Sequence, residues 1–308
     1  MSMPISADST LISVVVCTHN RSHLLKKCLE SLVSQHATVE KYEIVVVDNA
    51  SLDDTDSVLQ EYVRAHKYVR GFKEENLGLS HARNRGWREA VGEYVAFIDD
   101  DAIAFPDWIL QINAFVKRHP EILAFGGTYE AYSLTPIPSW FPPEYGSWSL
   151  GNEERPVVPG EEWINGTNMV FHKEILSRFC GFDSQLGMAG DRISYGEETK
   201  LLVNLKNDNI PVYFVPKMEV KHLIADYKMK LSWLLLASYK AGRCSELTFG
   251  IRRSLCSHVS AIGACILAGT FNIMSGGFKP FKRALYVSFS PLMMELGAFV
   301  GFFSRRLS

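Results

Sequence analysis

Several signatures that would identify a chemistry outright are missing from these 308 residues. No G-x-G-x-x-G follows the first apolar run, which argues against a dinucleotide-binding dehydrogenase, and no G-x-x-x-x-G-K-[ST] loop is present, which removes the P-loop reading. H-E-x-x-H and G-x-S-x-G are absent as well. There is no internal repeat and no low-complexity stretch. The six cysteines (Cys17, Cys28, Cys180, Cys244, Cys256, Cys265) form no C-x-x-C pair and no regular spacing, so buried free thiols in a reducing compartment are expected. Met1 to Thr10 carries neither a basic n-region nor an apolar h-region, so no signal peptide is expected, and the protein is placed in the cytoplasm or on the cytoplasmic side of a membrane.

A strong excess of one charge is lacking too. The formal net charge of −2 speaks against a nucleic-acid binder. That near-neutrality conceals an asymmetry: Lys240–Ser308 holds nine Lys/Arg and two Glu, or +7, so residues 1–239 carry −9. An acidic front and a basic, apolar tail suggest two tasks.

What is present is an alternation of short apolar runs with helical periodicity. Leu11 to Val16 and Ile44 to Val47 read as buried strands, and Leu24, Leu25, Cys28, Leu29, Leu32 and Val33 recur at helical spacing between them. A helix opened by Asp53, Asp54 and Asp56 follows, with acids at the positive end of its dipole. Next come a strand at Val69 to Phe72, a helix from about Leu79 to Ala90, the strand Tyr94–Ile98, and a helix from Pro106. Continuously apolar strands alternating with helices imply an α/β fold with a mostly parallel sheet flanked by helices. In such sheets ligands bind beyond the carboxyl ends of the strands. Polar residues fall at that edge three times: Thr18 to Arg21, Asp48 to Ser51, and Asp99-Asp100-Asp101. Three adjacent carboxylates raise one another's pKa, and a divalent cation with a preference for hard oxygen ligands, Mg²⁺ or Mn²⁺, would relieve the crowding. An acidic surface turn is the competing reading of the triplet alone.

Taken together, these motifs resemble the family 2 glycosyltransferases of the GT-A, Rossmann-like fold. The resemblance runs from Ser13 to about His222. It is carried by Val14-Val15-Val16-Cys17-Thr18-His19-Asn20-Arg21, by Val47-Asp48-Asn49-Ala50-Ser51, and by Asn76-Leu77-Gly78 through Ala82-Arg83-Asn84-Arg85-Gly86. Asp99-Asp100-Asp101 stands at the D-x-D position, and Gly181-Phe182-Asp183 and Gly196-Glu197-Glu198-Thr199 stand for the G-F-D and G-E-D segments. The resemblance implies a metal-dependent, inverting transfer of a sugar from a nucleotide-sugar donor, UDP-linked by preference. The acceptor is a saccharide or a lipid-linked sugar in surface polysaccharide or glycoconjugate assembly.

By the same resemblance Thr18, Asn20, Arg21, Asp48, Arg83, Asn84, Asp99 and Asp100 border the donor, with Asp48 accepting from the base imide and Asp99 holding the ribose. Asp101, Asp99 and His222 are the metal ligands it implies, although a lone histidine also reads as packing. Trp163, Gly166 and Asn168 lie on the acceptor side, where Trp163 is either a sugar platform or a core residue. Glu198 takes the place of the aspartate that acts as general base, with Glu197 in reserve. The proline-rich stretch Pro136–Pro159 reads as a cover over the acceptor.

The domain expected over residues 1–225 is followed by a hydrophobic, basic, helical appendage over 226–308. Ser254–Phe278 contains no charged residue and Ala284–Ser304 only Glu295. Arg252-Arg253, Lys279, Lys282-Arg283 and Arg305-Arg306 flank these runs. Two helices lying in the membrane interface or re-entering it satisfy all four basic clusters, whereas a two-span hairpin opposes the positive-inside rule. A packing or dimerisation appendage is the other reading. Two rival functions also fit an acidic α/β edge: a sugar-phosphate nucleotidyltransferase, and a catalytically inactive glycan-binding scaffold.

Overall fold

The computed structural model describes residues 12–38, 42–250, 254–275 and 280–304. Leu11, Arg252, Arg253, Lys279, Arg305 and Arg306 lie outside the described residues. In chain order the elements are β1 (Ile12–Thr18), α1 (Ser22–Val33), β2 (Tyr42–Asp48), α2 (Thr55–Ala65), β3 (Val69–Lys73), α3 (Leu79–Glu89), β4 (Tyr94–Asp99), β5 (Ala102–Ala104) and α4 (Trp108–Arg118). They continue with β6 (Ala124–Tyr132), β7 (Arg155–Pro156), β8 (Asn168–His172), α5 (Lys173–Arg178), α6 (Glu197–Asn207) and β9 (Tyr213–Leu223). The chain closes with α7 (Leu231–Phe249), α8 (Leu255–Ser275) and α9 (Phe281–Ser304).

Nine strands form one mixed sheet in the order β3-β2-β1-β4-β8-β6-β9-β5, with β7 also paired to β9. The expected parallel pairing holds from β3 to β4. From β4 onward it turns antiparallel, because β8 runs against β4 and β6 against β8. The helix expected from Pro106 starts at Trp108, after a turn closed by Trp108 N–H donating to Phe105 O.

The strands are apolar throughout because both faces are covered. Val14, Val16, Ile44 and Val46 point to one core with Leu25, Cys28, Leu29 and Leu32 of α1, Leu59 of α2 and Trp108, Ile112 and Phe115 of α4. Val15, Val45 and Val47 point to the other, with Ala82 of α3, Ile175 and Leu176 of α5 and Leu201 and Leu205 of α6. The period-2 alternation of strand side chains thus distributes one hydrophobic run over two layers.

Two compact units emerge. The first comprises Met1–Glu130, Trp148–Ser184 and Leu201–His222, and the second Ala131–Ser147, Gln185–Lys200 and Leu223–Ser308. In the second, Phe141, Ile224, Met229, Leu234 and Tyr286 form a small core. The segment 131–147 is tied to the start of α9 there: Arg283 donates to Phe141 O, and Lys282 Nζ lies 5.5 Å from the Trp140 ring centroid.

Close backbone approach inside the first sheet rests on Gly127. A Cβ at that position would stand 1.9 Å from Met218 O and 2.8 Å from Asn168 Nδ2. Gly127→Ala is therefore expected to force β6 off its neighbour and to destabilise by about 1–3 kcal/mol, the usual cost of overpacking. Urea unfolding measures it, and an unchanged midpoint would contradict the close approach.

Candidate active site

The register of the parallel strands assembles the site. Thr18 pairs with Asp48 across β1 and β2, and Cys17 pairs with Asp99 across β1 and β4, so three strand ends finish at one level. Beyond β4 the chain turns through Asp100 and Asp101 into β5. There Ala102 pairs with His222 of β9. A residue more than a hundred positions away thereby arrives beside the acid triplet.

Each of the three carboxylates has its own surroundings. Arg83, itself buried, donates to Asp99 Oδ1 at 3.2 Å and to Gly166 O at 3.4 Å. Asp100 is buried and accepts from Thr18 Oγ1 at 2.8 Å and from Arg21 at 3.0 Å. Burial pushes its carboxyl up to about 7, with Arg21 and Thr18 pulling the other way. Asp101 is met by Arg21 at 3.3 Å and by His222 Nε2 at 3.1 Å. Ligating atoms of Asp99, Asp101 and His222 all lie within 4.8 Å of one another. Two carboxylates and an imidazole are a donor set that suits a divalent cation such as Mn²⁺ or Mg²⁺. Beneath this edge, burial pushes the Cys17 thiol up to about 12.

Several polar residues expected at the donor tie loops together. Asn20 takes a positive φ of 52°, and its Oδ1 accepts from Leu52 N–H while its own N–H donates to Ser51 Oγ. Asp48, buried, accepts from Ser51 N–H through Oδ1. Asn84 grips the loop after α5 at two points: Phe182 N–H donates to its Oδ1 at 2.8 Å, and its Nδ2 donates to Phe182 O at 2.7 Å. Trp87 Nε1 donates to the same Oδ1 at 3.1 Å. The Phe182 ring held this way lies 5.5 Å from the Arg83 guanidinium and packs edge-on against Phe97.

On the side expected to receive the acceptor, Gly166 offers its carbonyl to Arg83. Asn168 is completely buried. It accepts from Trp108 Nε1 and donates to Thr128 O and Met218 O, which leaves its amide engaged in the core. Trp163 packs half-buried against the second core and lines a cavity with Val157, Ile164, Leu202 and Ile210. Glu197 and Glu198 open α6 and belong to the second unit. Glu197 is buried, and Glu198 Oε2 is a buried oxygen with no hydrogen-bond partner among the described residues.

One structural residue went unassigned in the sequence. Asn49 Nδ2 donates to Glu74 O and Asn76 O, and its Oδ1 accepts from Gly78 N–H, fixing the loop that starts α3. Its place directly after Asp48, at a strand end, is the signal that could have found it.

The family model for glycosyl transferase family 2 matches residues 13–170, more than half of the chain. The chain belongs to this family. Among curated relatives, a glucosyl-dolichyl phosphate glucuronosyltransferase of Haloferax volcanii is 29% identical over 237 residues, covering 75% of each chain. Among solved structures, the mannosyltransferase PcManGT from Pyrobaculum calidifontis, in complex with GDP-Man and Mn²⁺, aligns with a TM-score of 0.63 at 18% identity. That alignment covers 96% of this chain and 87% of the neighbour. S. aureus TarS 1-349 in complex with UDP-GlcNAc gives a TM-score of 0.57 at 14% identity, over 96% of this chain and 91% of its own. These neighbours establish the GT-A fold, and membership in the family makes the protein a glycosyltransferase.

If Asn84 holds Phe182, then Asn84→Ala loses three hydrogen bonds at once. Destabilisation of about 1–3 kcal/mol is expected. Amide hydrogen exchange at Phe182 is expected to accelerate with it, and unchanged protection there would count against the clamp.

Proposed function

We propose that the protein transfers a sugar, with inversion and with the help of a divalent cation, from a nucleoside-diphosphate donor to a lipid-linked or saccharide acceptor in surface glycoconjugate assembly. The observation that carries this reading is the convergence of Asp99, Asp101 and His222 at the carboxyl edge of the parallel strands. Asp99, Asp101 and His222 would hold the cation, which when bound neutralises charge developing on the leaving diphosphate. Support for a nucleotide-sugar donor comes from the fold neighbours solved with GDP-Man and UDP-GlcNAc. Support for a lipid-linked acceptor comes from the Haloferax relative, whose name specifies glucosyl-dolichyl phosphate. A UDP-sugar is the first donor to test, since by the family resemblance Asp48, at the end of β2, accepts from the base imide.

In this reading the protein's own residues do four things. Arg83 and Arg21 keep the acid edge from repelling itself apart before substrate arrives. Thr18 orients Asp100 away from the donor set by taking its Oδ2. Asp48 and the loops stitched to Asn20 form the wall on which the base rests. Glu198 removes the proton of the acceptor hydroxyl as it attacks the anomeric carbon. Its unpartnered buried oxygen favours Glu198 over Glu197, because a buried carboxylate oxygen without a hydrogen bond is costly and is retained where a substrate group completes it.

Calorimetry tests the metal assignment. UDP is expected to bind the wild type more tightly with Mn²⁺ than with EDTA, and Asp101→Ala is expected to erase that difference. Equal affinity in the wild type under both conditions would overturn metal dependence; repeating it with GDP decides the base.

Turnover tests the base. Glu198→Gln is near-isosteric and is expected to keep donor binding while lowering kcat by at least ~10²-fold, the usual scale for a lost general base. Activity surviving in that variant, with Glu197→Gln inactive, would move the assignment by one residue.

A further inference from the structure

By length and composition α9 is long and apolar enough to cross a membrane. Its packing within the second unit points elsewhere. A Cβ at Gly242 of α7 would stand 1.9 Å from Met294 O, one at Gly297 of α9 would stand 1.9 Å from Tyr239 O, and one at Gly301 would stand 2.7 Å from Arg243 O. Ser238 Oγ meets Ser290 Oγ at 2.9 Å. The partners advance together along both helices, so α7 and α9 run parallel with their backbones in contact. That stretch of α7 carries Lys240, Arg243 and Glu246. A spanning α9 would draw these three charges toward the hydrocarbon core, where charged side chains are costly. Its own Glu295 stands 3.9 Å from His258 of α8.

Helix α8 lies on α9 in the opposite direction. Gly269 approaches Ser288 O, while His258 meets the rings of Phe299 and Phe302. His258 is buried in this contact, but most of α8 faces outward. Leu255, Val259 and Ile266 fall on one stripe at spacings of four and seven, with Leu267 beside them. Val259 is 57% exposed and Leu267 72%.

Charge selects the occupant of this stripe. The uncharged run Ser254–Phe278 is preceded by Arg252-Arg253 and followed by Lys279, Lys282 and Arg283. A second copy laid on the stripe would bring these cations against their like. Anionic lipid headgroups would neutralise them, and basic groups at both ends favour a helix lying along the surface over one crossing it. Beside α9's first turn, Trp140 under Lys282 and the exposed Phe281 add the aromatic and cationic groups that suit a membrane–water interface. We infer that the protein docks on an anionic bilayer through the exposed stripe of α8, lying in the interface plane, and that α9, packed along both α7 and α8, supports that helix and is not a span.

This rests on the membrane-facing part of the proposed function, and it is tested without any sugar acceptor. Full-length protein is mixed with phosphatidylglycerol-containing vesicles and, separately, with neutral phosphatidylcholine vesicles. Sedimentation with the anionic vesicles is expected. The double variant V259E/L267E is expected to lower that partitioning about tenfold or more, since two apolar side chains leave the acyl boundary, with the melting temperature unchanged because both sites are exposed. Leu52→Glu, at a 93% exposed site in the first unit, is expected to leave partitioning unchanged. Maleimide labelling of Cys256, exposed on α8, should slow on anionic vesicles while labelling of exposed Cys180 does not. Undiminished partitioning of V259E/L267E together with resistance to carbonate extraction would overturn the inference in favour of a spanning α9. A dimer in solution that the same variant converts to monomer would overturn it in favour of a second copy. UDP and GDP calorimetry on the same preparation separates the two claims: absence of nucleotide binding with vesicle docking intact would sink the proposed donor alone.

Discussion

Three carboxylates in a row at the end of a buried strand repel one another, and the site is organised around keeping them there. Each is given counterparts, with Arg21 shared by two: Arg83 for Asp99, Thr18 and Arg21 for Asp100, Arg21 and His222 for Asp101. Because successive side chains diverge around the turn, the middle carboxylate is drawn toward the end of β1 while the outer two converge with the imidazole. The cluster is thus divided into a structural acid and a ligand-like pair.

Holding that edge requires rigid loops, and the polar residues after the strands provide the rigidity. Asn20 ties the loop after β1 to the loop after β2, and Asn49 ties the latter to the start of α3. Asn84 then ties α3 to the loop containing Phe182, whose ring lies against Arg83. Asn49 satisfies three backbone groups and Asn84 two, each donating and accepting at once, which a carboxylate could not do. Arg83 closes the sequence of contacts by reaching Asp99 and Gly166 together.

The helical end of the chain obeys a different constraint. Glycines at 242, 297 and 301 let the backbones of α7 and α9 touch, beside the small core that Leu234 and Tyr286 share. Large apolar side chains are consequently left on the outside of α8. Composition alone rates α8 and α9 as similar apolar helices. Their neighbours differ: α9 packs along both α7 and α8, whereas most of α8 faces outward.

Local periodicity determined much of the first unit from sequence alone. The strands at Ile12, Ile44 and Tyr94, the apolar faces of α1 and α2 and the span of α3 were legible because a buried run and a 3.6-residue repeat are properties of neighbouring residues. The acid triplet and its place at a strand end were legible for the same reason. Long-range pairing was not. The antiparallel half of the sheet and the arrival of His222 beside Ala102 depend on a register set between distant segments. So do the partners of polar residues such as Asn168 and Asn84, which bond to distant strands and loops. Which partner satisfies a polar group is decided by what the fold brings within about 3 Å of it, and no local pattern encodes that distance.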